Sequence, residues 1–436
     1  MIQRPSVRSA FSGTRGLAVN GGALIVNVFV SGIGGFAFWI IAARSVEPDV
    51  VAHASAMITS ILGVVTLSQQ SIVVNIPILI AGSPRPRRLA GRAYIAALSL
   101  TGVSSSLYLI FGTRIASGLD YLRDMHLAIY FVFGCLMWSI FSMQDAVLTG
   151  VRKGKLVLLE NTVWSGCRVV LVLTLPLIGL ELGVGWVVST WLVPATLLVL
   201  AITYYLFARP ASPLRHPLGT IALNRRALYS FLGVEHLVAV TNGLVQIVVP
   251  AVALTALGAR AAAPFLAAYQ LMIVTEVAMG TFAGAFAVEV RRHGHASRKL
   301  IALTCTLLGG LSLAAIVGAH FFGKDFMALF GQQYREPGGE ILAILVLGLP
   351  ASSIRLIAGA GNRLRRAAWR NFAQQGSYMA ALFIGFSFTH IQSGRSLAIC
   401  LVIARLVAGV VSIQNLNSLR SVRTRAAAGR AEAAAV

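Results

Sequence analysis

Acidic side chains are scarce in this 436-residue chain: 14 Asp and Glu stand against 36 Lys and Arg, a formal net charge of +22. Charged residues of both signs make up only 11%, well under the roughly 25% of a soluble domain, and the mean hydropathy is +0.79. So little charge excludes water as the solvent for most of the molecule. Cysteine is equally sparse. Cys135, Cys167, Cys305 and Cys400 lie far apart in apolar stretches, which excludes a disulfide framework or a cysteine metal site and predicts small buried hydrophobes. There is no GxxxxGK[ST] loop and no HExxH, and no Ser/His/Asp set can be proposed from spacing, so no enzyme is expected. His293 and His295 sit among Arg and Lys and read as solvated. Gly32-Ile33-Gly34-Gly35-Phe36-Ala37 fits a loose dinucleotide fingerprint, but it lies in an apolar run with no βαβ frame. It predicts close helix packing instead, as does Gly280-Thr281-Phe282-Ala283-Gly284.

What the chain does have is long apolar runs. A membrane-crossing helix needs about 20 mostly apolar residues, and suitable runs occupy 19–43, 50–81, 93–113, 126–148, 156–180, 186–208, 228–256, 262–290, 300–322, 340–360, 371–391 and 396–419. They are too long for barrel strands and lack alternation. The first is a full-length span, expected to stay as an anchor. Gln69, Gln70, Asn75 and Pro77 interrupt the long second run, which predicts a bend or tilt.

Positive charge fills every second loop. Arg4, Arg8 and Arg15 precede the first span, and Arg85, Arg87, Arg88 and Arg92 precede the third. Then come Arg152, Lys153 and Lys155; Arg209, Arg215, Arg225 and Arg226; Arg291, Arg292, Arg298 and Lys299; and Arg363, Arg365, Arg366 and Arg370. Arg420, Arg423, Arg425 and Arg430 close the series. The intervening loops hold Glu47, Asp49, Asp120, Asp124 and Glu181. By the positive-inside rule both termini and the basic loops of this multi-pass membrane protein face the cytoplasm. Basic residues spread over so many loops also argue against nucleic acid as partner.

The proline-rich loop 209–227 falls near the middle of the chain. The expected fold is therefore all-α: about twelve transmembrane helices in two six-helix bundles, residues 1–208 and 228–419, with a tail at 420–436. Ala42-Ala43-Arg44 after the first span echoes Gly258-Ala259-Arg260 after the seventh. Parallel repeats about an axis along the membrane normal follow from the shared connectivity.

Ionisable residues inside spans cost about 2.5–3.5 kcal/mol at a helix centre, so they face a cavity or a partner. Arg168 and Arg405 fall near the middle of the fifth and twelfth spans and Glu276 midway in the eighth. Glu235 and His236 lie in the seventh, Glu160 with Asn161 in the fifth, and Asp145 near the basic end of the fourth. Arg355 is close enough to the surface to snorkel. One reading pairs Glu276 or Glu235 with Arg168 or Arg405 for packing alone. Glu160 and Arg168 do not pair, being about 12 Å apart along the axis and about 80° around it. Asp145 is expected to tie down Arg152 or Lys153. The other reading gives one midplane arginine per half to a phosphorylated head group, whose oxygens suit the guanidinium fork. The acids would then bind a proton or sodium ion, the only cofactor expected.

Phe38-Trp39-Ile40-Ile41-Ala42-Ala43-Arg44, followed by His53-Ala54-Ser55-Ala56, resembles the first two spans of bacterial polysaccharide flippases. Gln144-Asp145-Ala146-Val147-Leu148-Thr149-Gly150-Val151-Arg152, with Leu159-Glu160-Asn161, is similar to their fourth-to-fifth-span junction. These flippases belong to the multidrug/oligosaccharidyl-lipid/polysaccharide exporter superfamily. The resemblance implies a V-shaped pair of bundles and alternating access that flips a polyprenyl-diphosphate-linked glycan to the outer leaflet. Similar proteins often have an arginine late in the second span, where this chain reads Val74-Asn75-Ile76-Pro77. The diphosphate contacts expected here are Arg168, Arg405 and Arg44, and the ion-coupling groups Glu276, Glu235, Glu160 and Asp145. Sugar contacts would come from Asn20, Asn27, Asn242, Gln246 and Gln270. Expected partners are the lipid-linked glycan, membrane lipids, a glycan polymerase and glycosyltransferases. The rivals are a drug/cation antiporter of the same superfamily, a membrane-embedded polymerase or transferase (for which the outer loops are short), and an inactive scaffold. Ser83-Pro84-Arg85-Pro86-Arg87-Arg88 does not fit the loop signature of major facilitator carriers.

Overall fold

The apolar runs form helices because inside lipid only a helix satisfies its own backbone polar groups. The computed structural model describes residues 26–27, 30–174, 176, 183–218, 225–293, 298–365, 367–389 and 391–416. Twelve helices order these residues. They are α1 (Val30–Ser45), α2 (Pro48–Ala81), α3 (Pro86–Ile115), α4 (Met125–Gly150), α5 (Gly154–Thr174) and α6 (Val184–Ala208). The second half holds α7 (Arg225–Leu257), α8 (Ala259–His293), α9 (Arg298–Ala328), α10 (Gln332–Leu364), α11 (Ala368–Phe388) and α12 (Gly394–Leu416). Ten helices are long and apolar enough to cross a membrane; α1 is described over a shorter stretch, and α11 is less apolar.

The basic turns at 82–85, 151–153 and 209–218 follow α2, α4 and α6, and Arg363 and Arg365 close α10 at the same end, here called the basic end. The basic tails, Asn20, Glu181, His295 and Arg366 lie outside the described residues, as do the side chains of Arg225, Arg226, Arg291, Arg292, His293 and Arg298. Large apolar side chains such as Leu200, Leu313 and Phe388 point outward. An apolar belt of this extent would be untenable in water; it is the lipid-facing surface.

Among the described residues each lobe has its own apolar core, and the first lobe has a further one at its basic end around Ile76, Met143 and Leu206. Phe38, Ile61, Phe131, Trp164 and Trp191 pack in the first lobe; Phe265, Met272, Tyr334, Leu345 and Leu401 pack in the second. The lobes meet chiefly where α2 crosses α7. A Cβ on Gly63 would lie 2.5 Å from Ile247 Cγ2 and 3.0 Å from the Gly243 carbonyl, and one on Gly243 would lie 2.6 Å from the Gly63 carbonyl. Two glycines thus let the backbones touch, the usual solution where lipid gives helices no hydrophobic reason to associate.

Helix α2 runs unbroken for 34 residues through Pro77. At about 1.5 Å per residue it exceeds the hydrocarbon thickness, so it tilts or protrudes. Gln69 does not interrupt it: its amide donates to the Ser139 carbonyl at 3.0 Å and its carbonyl accepts from Ser139 Oγ at 2.8 Å, fastening α2 to α4. Helices α9 and α10 extend beyond the expected spans and leave only 329–331 as a turn, with Gly331 at φ 133°. Lys324–Glu336 and Arg335–Asp325 ion pairs brace it. One packing expectation fails: a Cβ on Gly284 would meet open space and one on Gly280 only Leu356 at 3.8 Å. Of the cysteines, Cys135 and Cys400 are buried as expected, but Cys167 and Cys305 face outward, because on a lipid-exposed surface an apolar residue need not be inside.

Candidate functional site: a cavity between the lobes

A cavity of about 890 Å³ opens between the lobes. Asn27 and helices α1, α4 and α5 line it from one side, the helices through Ser31, Phe36, Trp138, Asn161 and Trp164. Helices α8, α9 and α10 line the other through Met272, Thr275, Ala315, Phe322, Phe326 and Val346. No charged side chain forms its surface among the described residues; the wall is apolar and aromatic, relieved by a few amides and hydroxyls.

The end away from the basic loops is closed over the cavity. Phe36 of α1 stacks on Phe326 of α9 with centroids 4.8 Å apart and meets Phe330 edge-on at 5.7 Å. Arg44 Nε donates to the Leu329 carbonyl at 2.6 Å, and the Gly118 amide donates to Thr255 Oγ1 at 3.1 Å. Each of these contacts joins one lobe to the other. Arg44 is thus exposed at this closure, on a different helix face and level from Arg168 and Arg405.

Arg168 stands directly behind the cavity wall and is 5% exposed. Its guanidinium lies 3.8 Å from the Trp164 ring centroid and 5.7 Å from that of Phe38. Nη2 donates to the Ser31 carbonyl at 3.2 Å, while Nε has no hydrogen-bond partner. The glycines of α1 create this seat. A Cβ on Gly35 would come 3.2 Å from Arg168 Nη2, and one on Gly34 only 2.8 Å from Ser165 Cβ. Among the described residues no carboxylate pairs with Arg168. Desolvated cations over indole faces gain about 2 kcal/mol or more, which offsets only part of the burial of an unpaired charge.

Arg405, 4% exposed, is held differently. Its Nε donates to Glu276 Oε1 at 3.2 Å and its Nη2 to Oε2 at 3.5 Å. Ser352 Oγ also donates to Oε1, and Arg355 Nη2 approaches it at 3.7 Å. Arg355 Nη1 donates to Gln375 Oε1 at 3.1 Å, and Arg405 lies 5.6 Å from the Tyr378 ring. So Glu276 serves two arginines, and the second lobe keeps one surplus positive charge beside its cavity-lining helix. Arg355 does not snorkel as expected; α10 continues to Leu364, which places Arg355 deeper and turns it inward. Sequence reasoning missed Ser352, Gln375 and Tyr378, as well as Gly348, where a Cβ would lie 2.6 Å from Arg405 Cδ. Buried polar residues at i, i+3 on α10 and α11 are the signal that would have found them.

Asp145 does not tie down Arg152 or Lys153. Both its oxygens accept from Asn161 Nδ2, at 3.2 and 3.0 Å, because α5 brings Asn161 alongside α4 within the membrane. Glu160, 2% exposed, has neither oxygen hydrogen-bonded, and the hydroxyl of Tyr94 is likewise unpartnered. The two carboxylates and Tyr94 lie within electrostatic reach of one another. Glu235 is buried nearer the basic end with one oxygen unpartnered; its neighbour His236 meets Ser71 of α2 at 3.2 Å. Of the polar residues expected to meet sugar, Asn27 lines the cavity with Oδ1 unpartnered. Gln270 instead donates to Thr59 Oγ1 at 2.6 Å across the lobe seam.

The described helices thus form two six-helix lobes around a central cavity. No family model and no curated protein matches the chain. Solved structures do. An inward-facing multidrug resistance MATE family transporter of the MOP superfamily superposes with TM-score 0.64 and 17% identity, over 90% of this chain and 95% of that one. An outward-facing form of such a transporter gives TM-score 0.57 and 17% identity, over 92% and 96%. A MOP superfamily transporter from Pyrococcus furiosus, noted for a binding pocket of reversed polarity, gives 0.57 and 16%, also over 92% and 96%. At these identities the likeness shows the fold: the chain is a multi-pass membrane protein with a MATE-like, two-bundle architecture.

Proposed function

We propose that the protein is an alternating-access transporter that moves a polyprenyl-diphosphate-linked glycan from the cytoplasmic to the outer leaflet of a bacterial inner membrane. The observation that carries this reading is Arg168: a buried arginine with no acid partner among the described residues, one side chain behind an apolar cavity that opens between the lobes. The cargo it suits is mostly apolar with one anionic group. Acyl chain fits the aromatic wall, and rotation of the arginine past Trp164 brings its free Nε to a diphosphate oxygen. The surplus charge of Arg355 and Arg405 over Glu276 adds positive potential from the other lobe. Arg405 itself is spent on Glu276, so Arg355 is the better second contact. Glu160 and Asp145, which have no arginine partner among the described residues, and Glu235, whose Oε1 is unpartnered, are the groups that would bind a coupling proton or sodium ion. Glycosyltransferases and a polymerase would supply and consume such a cargo.

The test is reconstitution in liposomes with a fluorescent polyprenyl-diphosphate sugar, scoring its exposure to an outer-leaflet quencher. Flipping above empty liposomes is expected. No flipping by folded protein, in either orientation and with either gradient, would exclude the reading.

A second reading is favoured by one observation. Asp145 and Glu160 carry no basic partner among the described residues, and the aromatic wall also suits flat organic cations. A multidrug/cation antiporter would use them so. Gradient-driven efflux of a cationic dye from the same liposomes, without diphosphate flipping, would select this reading.

A further inference from the structure

A second cavity, of about 650 Å³, lies at the basic end of the first lobe, away from the cavity between the lobes, and Arg85, Arg87, Arg88 and Arg215 line it. Phe207 and Leu214 give it an apolar floor. The floor is built rather than incidental. The Leu218 amide donates to the Ser83 carbonyl at 3.1 Å, joining the turn before α3 to the loop after α6. Ser212 Oγ accepts from the Leu214 amide at 3.2 Å, and Phe207 meets Tyr94 edge-on at 5.5 Å. Among the described residues none of the four arginines pairs with a carboxylate.

The arrangement is unfavourable as it stands. Helix α3 begins at Pro86, and its first turn carries Arg87 and Arg88 and no acid. A helix start is already electropositive and normally takes an acid. Four like charges around one hollow, two of them on that end, call for an anion with several oxygens, and guanidinium forks match a phosphate. The same two helices turn apolar within a few turns of the cavity: Ile95 of α3 is 68% exposed and Tyr204 of α6 is 62% exposed. A phosphate held here would therefore sit at the membrane boundary with acyl chain running down the outside of α3 and α6. We propose that this cavity is a headgroup site for the phosphate of an anionic membrane lipid, separate from the cargo route. The inference does not depend on what the transporter carries.

The experiment is native mass spectrometry of the purified full-length protein titrated with phosphatidylglycerol. Three variants are compared with the unaltered chain: Arg85→Gln/Arg87→Gln/Arg88→Gln/Arg215→Gln, the single Arg215→Gln on the exposed loop, and a control, Arg152→Gln/Lys153→Gln/Lys155→Gln, at a basic turn that lines neither cavity. The unaltered chain and the control should retain lipid alike, and the quadruple variant should retain it about tenfold less well, with Arg215→Gln between them. Equal losses in control and quadruple variant would reduce the effect to general surface charge and overturn the proposal. So would retention by Arg215→Gln identical to the unaltered chain, should the quadruple variant not fold. Inorganic pyrophosphate forms the other arm: saturable, arginine-dependent binding of it without lipid retention would assign the cavity to a soluble phosphate and overturn the lipid assignment.

Discussion

Arg405 of α12 reaches Glu276 of α8 with Nε 3.2 Å from Oε1, and the missing Cβ of Gly348 makes room for its shaft. This bond ties two helices of the second lobe at mid-membrane depth. Arg405→Ala would leave Glu276 facing Arg355 alone and should destabilise the fold by about 3–5 kcal/mol, the usual cost of breaking a buried pair from one side. Arg405→Met with Glu276→Gln removes that pair but leaves Arg355 with Gln375 alone, and should recover part of that loss. Thermal unfolding in detergent checks both, and equal destabilisation by the double and single variants would contradict the pairing argument.

Arg168 should behave in the opposite way. It holds no carboxylate, so Arg168→Ala should leave the melting temperature unchanged or raised while abolishing transport in liposomes. Arg168→Lys keeps the charge but loses the flat stack on Trp164 and the fork geometry, and should retain partial activity. Full transport by Arg168→Ala at normal protein levels would remove Arg168 from the cargo site.

The α2–α7 crossing makes a steric prediction. Gly63→Val places methyl groups where Ile247 and the Gly243 carbonyl already stand, and should cost about 1–3 kcal/mol by overpacking. Gly102→Ala, where a Cβ meets nothing within 4 Å, should be neutral or stabilising by about 0.5–1 kcal/mol. Comparing the two melting curves separates lobe contact from general glycine replacement.

Glu160 has both oxygens unpartnered and Asp145 leans on Asn161 alone. Glu160→Gln should preserve the fold and uncouple transport from an imposed proton or sodium gradient. Transport measured with each gradient reversed in turn checks this; an unaltered gradient response would return Glu160 to a packing role.

Much of this architecture is legible in the sequence. Run length and the alternation of Arg-rich loops are set by bilayer thickness and insertion, so twelve helices and their common basic end could be read directly. Arg168, Arg405 and Glu276 stood out because charge is costly in lipid. Their relationships did not, since pairing depends on how each helix is rotated and how far it extends. Span 340–360 puts Arg355 near the surface, whereas α10 runs from Gln332 to Leu364 and turns it toward Glu276. Sequence distance favours Arg152 as the partner of Asp145, while the fold offers Asn161. Gly34 and Gly35 are packing residues, as the sequence implies, yet what they pack against, Ser165 and Arg168, is visible only when α1 and α5 are set side by side.

The central claim is that the lobes part and close around the cavity in response to cargo. Spin labels at Arg44→Cys and Leu329→Cys, in a background without the four native cysteines, report the distance across the closure by pulsed electron resonance. The account predicts a short distance, and a second, longer population that grows when polyprenyl diphosphate is added and fails to grow in Arg168→Ala. A single short distance that ignores the ligand, or a response that survives Arg168→Ala unchanged, would contradict it.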